Sequence, residues 1–258
     1  MIRPVPILLY HRVLDEPGPF TSSPALFDAH LAWLAEQGYR SISLDDLEDR
    51  IAGRVGGGRR EVVITFDDGY AELGTTAADL LRRHGFDATA FLITSRNPDE
   101  TDTSGDPDAY LSWDRARELA AEGVYRFHSH THNHEKWPLT AEEAPTLHTE
   151  IATARTVLAE KLERPVTEFD HLAWPYGRAC DAWEAVADEQ GVTTRYVVQR
   201  GAVTRERRTD RLPRLLTDGM SLRQFAFWMR VLSTRPGAVA TNRVFGTIRQ
   251  RRQGAAYR

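Results

Sequence analysis

The sequence predicts a single α/β domain built as a distorted (β/α) barrel of seven or eight units. Three observations carry that prediction. Short apolar or β-branched runs alternate with helical patterns along the 258 residues, and such alternation means parallel strands joined by crossover helices. The number of units is roughly eight, which suits a closed or partly closed barrel. No shift in composition cuts the chain in two. A doubly wound open sheet is the competing architecture.

In order along the chain, Val5–Tyr10 is an apolar strand pattern. Ser23-Pro24 reads as an N-cap followed by proline in the first helical turn, and the helix it starts runs to Gln37, where Gly38 stops it. Arg40–Ser43 reads as a strand and Leu44–Ala52 as a helix. Gly56-Gly57-Gly58-Arg59-Arg60 precedes a strand and lacks the Lys-Ser/Thr of a phosphate loop, so it reads as a flexible turn. The strand Val62–Phe66 leads to the helix Ala71–His84, ended by Gly85, and Ala88–Ile93 is the next strand. The polar loop Asn97–Asp108 follows that strand and could rim an active face or simply be solvated. Trp113–Glu122, ended by Gly123, is helical, Tyr125–Ser129 is a strand and Ala141–Leu162 a long helix. His171–Trp174, Arg195–Val198 and Arg211–Leu216 complete the strands; Asp181–Gln190, ended by Gly191, and Ser221–Leu232 complete the helices. His30, His84 and His148 fall in helical patterns and are expected at the surface or at an interface. Residues 1–234 form the expected barrel, and 235–258 a basic tail or appended helix.

Composition narrows the function. The chain is 41% apolar and 27% charged, with a formal net charge of −4, which is ordinary for a globular protein and argues against nucleic acid as its partner. One cysteine, Cys180, excludes an internal disulfide framework and any multi-cysteine zinc site. No apolar run reaches the roughly 20 residues of a transmembrane helix, and the start Met1-Ile2-Arg3-Pro4 lacks a signal-peptide pattern. The expectation is a cytoplasmic protein, if that start is the native one. Oligomeric state is left open.

Two segments carry chemistry. In Val63-Ile64-Thr65-Phe66-Asp67-Asp68-Gly69-Tyr70 an apolar strand runs into two carboxylates and a glycine. Successive strand side chains point to opposite faces, so Asp67 and Asp68 leave in different directions, and one can bind a metal while the other handles a proton. The end of a barrel strand is also where barrel active sites lie. A helix N-cap at Asp68-Gly69 is the plainer alternative. In Phe127-His128-Ser129-His130-Thr131-His132-Asn133-His134 four histidines fall within seven residues. Imidazole is the commonest zinc ligand among side chains. His130 and His134 are spaced i, i+4, as on one side of a helical turn; His128 and His132 share that spacing, and a surface His-rich loop is the alternative to both.

These segments resemble the polysaccharide deacetylase (NodB-homology) family of carbohydrate esterases. Thr65-Phe66-Asp67-Asp68-Gly69-Tyr70 is similar to its first motif and Ser129-His130-Thr131-His132-Asn133-His134 to its second. Ala173-Trp174-Pro175-Tyr176-Gly177 resembles the third, and Ile7-Leu8-Leu9-Tyr10-His11-Arg12-Val13 resembles the start of a subgroup that includes exopolysaccharide deacetylases. The resemblance runs from about Pro4 to Leu216. It implies a distorted β/α barrel and metal-dependent removal of an acetyl group from an N-acetylated sugar: polymer, oligomer or precursor. It implies Asp68, His130 and His134 as ligands of one divalent ion, with positions left for water and substrate, Asp67 as general base, and the Tyr176 backbone N–H as an oxyanion donor. Zinc is the default ion, and Ni2+, Co2+ and Fe2+ accept similar ligands. Pro175 and Tyr176 fall to substrate binding. Trp174 and Trp137, close to the metal motifs, suit either a sugar-stacking wall or core packing.

Two family features are missing. Many members carry an arginine two residues before the motif-three proline, where this chain has Ala173; Arg214, at the end of the last strand, is the candidate to orient Asp67, with a surface arginine as the alternative. Many members use a late histidine as general acid, and no histidine follows His171 here. His11, ending the first strand, is the substitute candidate, and a structural histidine suits the same position. His171 starts a strand and belongs to the wrong end. The basic stretches Arg205, Arg207, Arg208 and Arg211, and Arg249, Arg251 and Arg252, could meet an anionic membrane or a phosphate, or be solvated. The competing functions are a deacylase or deformylase of a small-molecule amide on the same fold, and a non-catalytic metal- or carbohydrate-binding relative.

Overall fold

The computed structural model describes residues 3–56, 60–101, 106, 108–204 and 209–255, with side chains as far as 247. In chain order the elements are β1 (Ile7–Tyr10), β2 (Arg12–Val13), β3 (Thr21–Ser22), α1 (Pro24–Glu36), β4 (Tyr39–Ser41), α2 (Leu44–Ala52), β5 (Arg60–Phe66), α3 (Thr76–His84), β6 (Ala88–Leu92), α4 (Trp113–Ala121), β7 (Tyr125–Ser129), α5 (Ala144–Leu162), β8 (His171–Ala173), α6 (Asp181–Glu189), β9 (Thr194–Val198), β10 (Leu212–Leu216), α7 (Leu222–Leu232) and α8 (Arg235–Ala255).

Seven of these strands close a parallel barrel. They run β5-β6-β7-β8-β9-β10-β1, and β1 returns to β5 with Ile7 opposite Val63 and Tyr10 opposite Phe66. All four residues of β1 are fully buried, as expected of a parallel strand covered on both faces. The sequence-predicted strand Arg40–Ser43 appears as β4, which joins only the first half of β5, from Arg60 to Val62. It lies outside the ring, and the closed barrel therefore has seven members. The ring is thinnest between β7 and β8, where Ser129–Leu172 is the single pair in register. This seam is one source of the barrel's distortion.

The helices start and stop largely where the sequence marks them. The Ser23 hydroxyl accepts from Leu26 N–H at the start of α1, and Ser43 and Asp46 form a reciprocal capping box on α2. Two predicted helices begin late: Ala71–Gly74 and Ala141–Glu143 are single 3-10 turns preceding α3 and α5. His30 is buried in α1, contrary to its expected place at the surface or an interface. Its Nε2 donates to the Met220 carbonyl and its Nδ1 accepts from the Tyr10 hydroxyl, and burial lowers its pKa to about 4. The segment after Thr234 is the helix α8, held by Asn242, which exchanges two hydrogen bonds with the backbone of Ala202. Residues 57–59 of the Gly-rich turn, 102–105 and 107 of the polar loop, and Arg205, Arg207 and Arg208 lie outside the described residues, as do the side chains of Arg249, Arg251 and Arg252.

Candidate active site

The C-terminal ends of β5, β7, β10 and β1 bring the sequence-predicted residues to one end of the barrel. Asp67 and Asp68 follow β5. Gly69 takes φ +86°, and a Cβ there would meet the Leu92 side chain, so this corner is restricted to glycine. Asp67 is 2% exposed and faces Arg214, itself fully buried. Arg214 Nη1 and Nη2 each donate to one Asp67 oxygen at 2.6 Å, a bidentate fork that fixes the carboxylate plane. Burial alone would raise the Asp67 pKa, but the Arg214 charge and hydrogen bonds, with His130, outweigh it and bring it to about 2. Asp67 is therefore ionised at neutral pH.

Asp68 leaves the strand in the left-handed region, φ 70°, and meets the histidines of the second motif. His130 Nε2 and His134 Nε2 lie 3.6 and 3.7 Å from Asp68 Oδ1, and one ligand atom from each of the three residues lies within 4.8 Å of the others. Donors that close suit a single ion at roughly 2.0–2.2 Å from each. His130 Nδ1 donates to the Ala173 carbonyl at 2.7 Å, which leaves the Nε2 lone pair facing the cluster, the tautomer a metal ligand needs. Burial, reinforced by His130, lowers the His134 pKa to about 3, so this ring is neutral and able to donate. The donor set fits a divalent transition ion.

The expected helical turn is not what pairs the two histidines. Thr131 and His134 both have positive φ, 68° and 57°, and the segment is an irregular loop. The Thr131 hydroxyl accepts from His134 N–H, and Glu150 of α5 accepts from the N–H groups of His132 and Asn133 and from the Asn133 amide. The alternative pair separates: His132 bonds the Thr94 hydroxyl, whereas His128 packs against Phe169 and His171. His171 accepts from or donates to the Tyr196 hydroxyl at the start of its strand, away from the cluster.

His11 stands beside the cluster. Its Nδ1 lies 2.7 Å from Asp218 Oδ2, and its backbone N–H donates to Asp218 Oδ1. Burial lowers its pKa, but the hydrogen bond and charge of Asp218, with Asp67 and Asp68, prevail and raise it. A cavity of about 440 Å3 runs past His11, Asp68, Arg12, Tyr70 and Phe20. Beyond it Asp108 bonds Arg12 and Tyr110 stacks on Tyr70, so the end of the polar loop borders the site.

The third motif turns sharply at Tyr176, φ 58°. Gly177 is required next, because a Cβ there would strike the Val198 backbone. Pro175 is buried and Tyr176 is 51% exposed, its ring 4.8 Å from the His134 ring. Of the two roles open to Trp174 and Trp137, the sugar-stacking wall is corrected in favour of core packing: Trp174 is fully buried and Trp137 nearly so. Both pack on Trp183, and their indoles present no face to a ligand because they fill the space under α5 and α6. Glu150 and Asp218 were not singled out from sequence. Asp218 could have been found, since Thr217-Asp218-Gly219 repeats the strand-aspartate-glycine pattern of the first motif; Glu150, one acid among several on a long helix, carried no such signal.

Comparison with known proteins agrees with this architecture. The family model for polysaccharide deacetylase matches residues 54–195, more than half of the chain. YxkH of Bacillus subtilis is 26% identical over 220 residues, covering 84% of this chain and 73% of that protein. The poly-β-1,6-N-acetyl-D-glucosamine N-deacetylase of Escherichia coli K12 is 23% identical over 228 residues, covering 76% of this chain. The chain spans only 33% of that enzyme's length. Among solved structures, IcaB from Ammonifex degensii superposes with a TM-score of 0.76 at 22% identity, covering 88% of this chain and 97% of that one. The Streptococcus pyogenes deacetylase PplD does so with a TM-score of 0.75 at 21% identity, covering 88% and 98%. With its seven-stranded barrel and both motifs in register at the strand ends, the chain belongs to the polysaccharide deacetylase family.

Proposed function

We propose that the protein is a metal-dependent N-deacetylase acting on a polysaccharide or oligosaccharide that contains N-acetylglucosamine. The observation that carries this reading is the Asp68-His130-His134 cluster lying next to a buried carboxylate, Asp67, held ionised by Arg214. The name of the Escherichia coli relative supports the substrate class. Asp68, His130 and His134 would hold the ion. When bound, it supplies a Lewis acid for the acetyl carbonyl and a lowered pKa for water. Zinc is the first choice by ligand type.

The chain's own residues supply the rest. Asp67 takes the proton of the attacking water as the new C–O bond forms. The Tyr176 N–H binds the oxygen on which negative charge develops. His11, oriented through Nδ1 by Asp218, gives its Nε2 proton to the amine as the C–N bond breaks, leaving acetate and a free amino sugar. Arg214 keeps Asp67 ionised and in plane.

The test is acetate release from N-acetylglucosamine oligomers and small N-acyl amides, with metal content measured on the same samples. Chelated protein should lose activity and regain it with added ion. Asp67→Asn should bind the ion at the same stoichiometry and turn over about 10²–10⁴-fold more slowly. Turnover of small amides alone would replace the glycan with a small-molecule substrate, and bound metal without turnover of any of them would leave a binding role.

A further inference from the structure

The charge of this chain is unevenly placed. From Gly219 to Arg258 there are eight arginines and no aspartate or glutamate, in a protein whose net charge is −4. Within this stretch, Leu222–Leu232 and Arg235–Ala255 form the hairpin of α7 and α8 on the flank of the barrel. On α7, Phe225, Ala226, Met229 and Leu232 face the core, while Leu222, Arg223, Phe227 and Arg230 are exposed. Phe227 is 56% exposed and Val244 on α8 55%. The apolar side chains form a track: the Phe227 ring lies 5.3 Å from Trp228, and Trp228 lies 6.3 Å from Phe245, the neighbour of Val244. The Arg200 guanidinium sits over both Trp228 and Phe245. Among the described residues, no carboxylate pairs with Arg223, Arg230 or Arg243.

We infer that the α7–α8 face docks on an anionic phospholipid surface. Two properties coincide there. Arg223, Arg230 and Arg243 complement anionic headgroups, and each basic residue near such a surface contributes about 1 kcal/mol. Exposed Phe227, Leu222 and Val244 beside them suit the boundary between headgroups and acyl chains. A soluble polyanion would use the charge and leave the rings exposed, which is why the lipid is favoured. No helix among the described residues is long and apolar enough to cross a membrane, so the contact would be peripheral. This inference is independent of the catalytic reading.

The test is co-sedimentation of the full chain with phosphatidylcholine vesicles, with and without phosphatidylglycerol. Binding is expected only with phosphatidylglycerol and should weaken in high salt. Arg223→Glu with Arg243→Glu should weaken it roughly tenfold or more. Phe227→Ser with Val244→Ser, which keeps the charge, should weaken it several-fold; an unchanged melting temperature establishes that each variant is folded. Equal binding to both vesicle types, or none, would overturn the inference. So would binding that ignores Phe227→Ser with Val244→Ser and is abolished by a soluble polyanion such as dextran sulfate.

Discussion

Arg214 and Asp67 are 147 residues apart in sequence yet meet in a two-point hydrogen bond, because β10 and β5 both flank β1 in the closed ring. Ala173 carries no charge at the position where the family resemblance leads one to expect an arginine, and a guanidinium from β10 reaches the carboxylate. The His11–Asp218 pair has the same character, one residue following β1 and the other following β10. Its effect on pH dependence follows from the direction of the shift. A raised pKa keeps His11 protonated to higher pH, so the proton donation proposed for it would persist until pH rises through that value. The same pairing adds stability that is full below the ordinary histidine pKa of about 6.5 and is lost as pH rises through the raised one. Asp218→Asn should therefore move the alkaline limb of the activity profile to lower pH and reduce turnover, with metal content unchanged. An alkaline limb that stays in place would remove His11 as the acid.

At the scale of elements, the site depends on how the loop after β7 is held. Thr131 and His134 occupy the left-handed region, which costs a non-glycine residue of order 1–3 kcal/mol. Glu150 from α5 offsets this by accepting three hydrogen bonds from His132 and Asn133 while 7% exposed. Its hydrogen bonds go to His132 and Asn133, which lie between two of the candidate ligands, and its influence on them runs through the backbone of their loop. Glu150→Ala should lower metal affinity by about 10–100-fold, the range seen when groups supporting a ligand are removed. Competition with a chromophoric chelator measures this, and circular dichroism reports whether the barrel survives. Unaltered affinity in a folded variant would reduce Glu150 to a structural capping group.

Over the whole molecule, the cluster ties together residues from two strands, since Asp68 follows β5 and both histidines follow β7, with β6 between them. An ion that binds only this folded arrangement stabilises the protein by mass action. At about 1,000 times its dissociation constant the gain is about 4 kcal/mol, or roughly 8–16 °C in melting temperature at 2–4 °C per kcal/mol for a chain of this size. Calorimetry with zinc, nickel and cobalt should show that rise and rank the ions. Asp68→Asn should cut it sharply, and a melting temperature indifferent to every ion would leave the cluster without a metal role.

Much of this protein is determined by local sequence. Alternating buried strands and capped helices specify the barrel, and Thr65–Tyr70 and Ser129–His134 announce the family, because strand burial, helix ends and motif spacing are set by residues a few positions apart. Other features were decided only by the tertiary structure: β4 left outside the ring, Glu150 holding the histidine loop, Asp218 beside His11, and the burial of Trp137 and Trp174. Each depends on which strand neighbours which once the ring closes, and on what fills the space beneath the helices. A carboxylate on a long helix or a tryptophan near a motif has the same local pattern whether it faces ligand, solvent or core. Only the packing of distant segments distinguishes these.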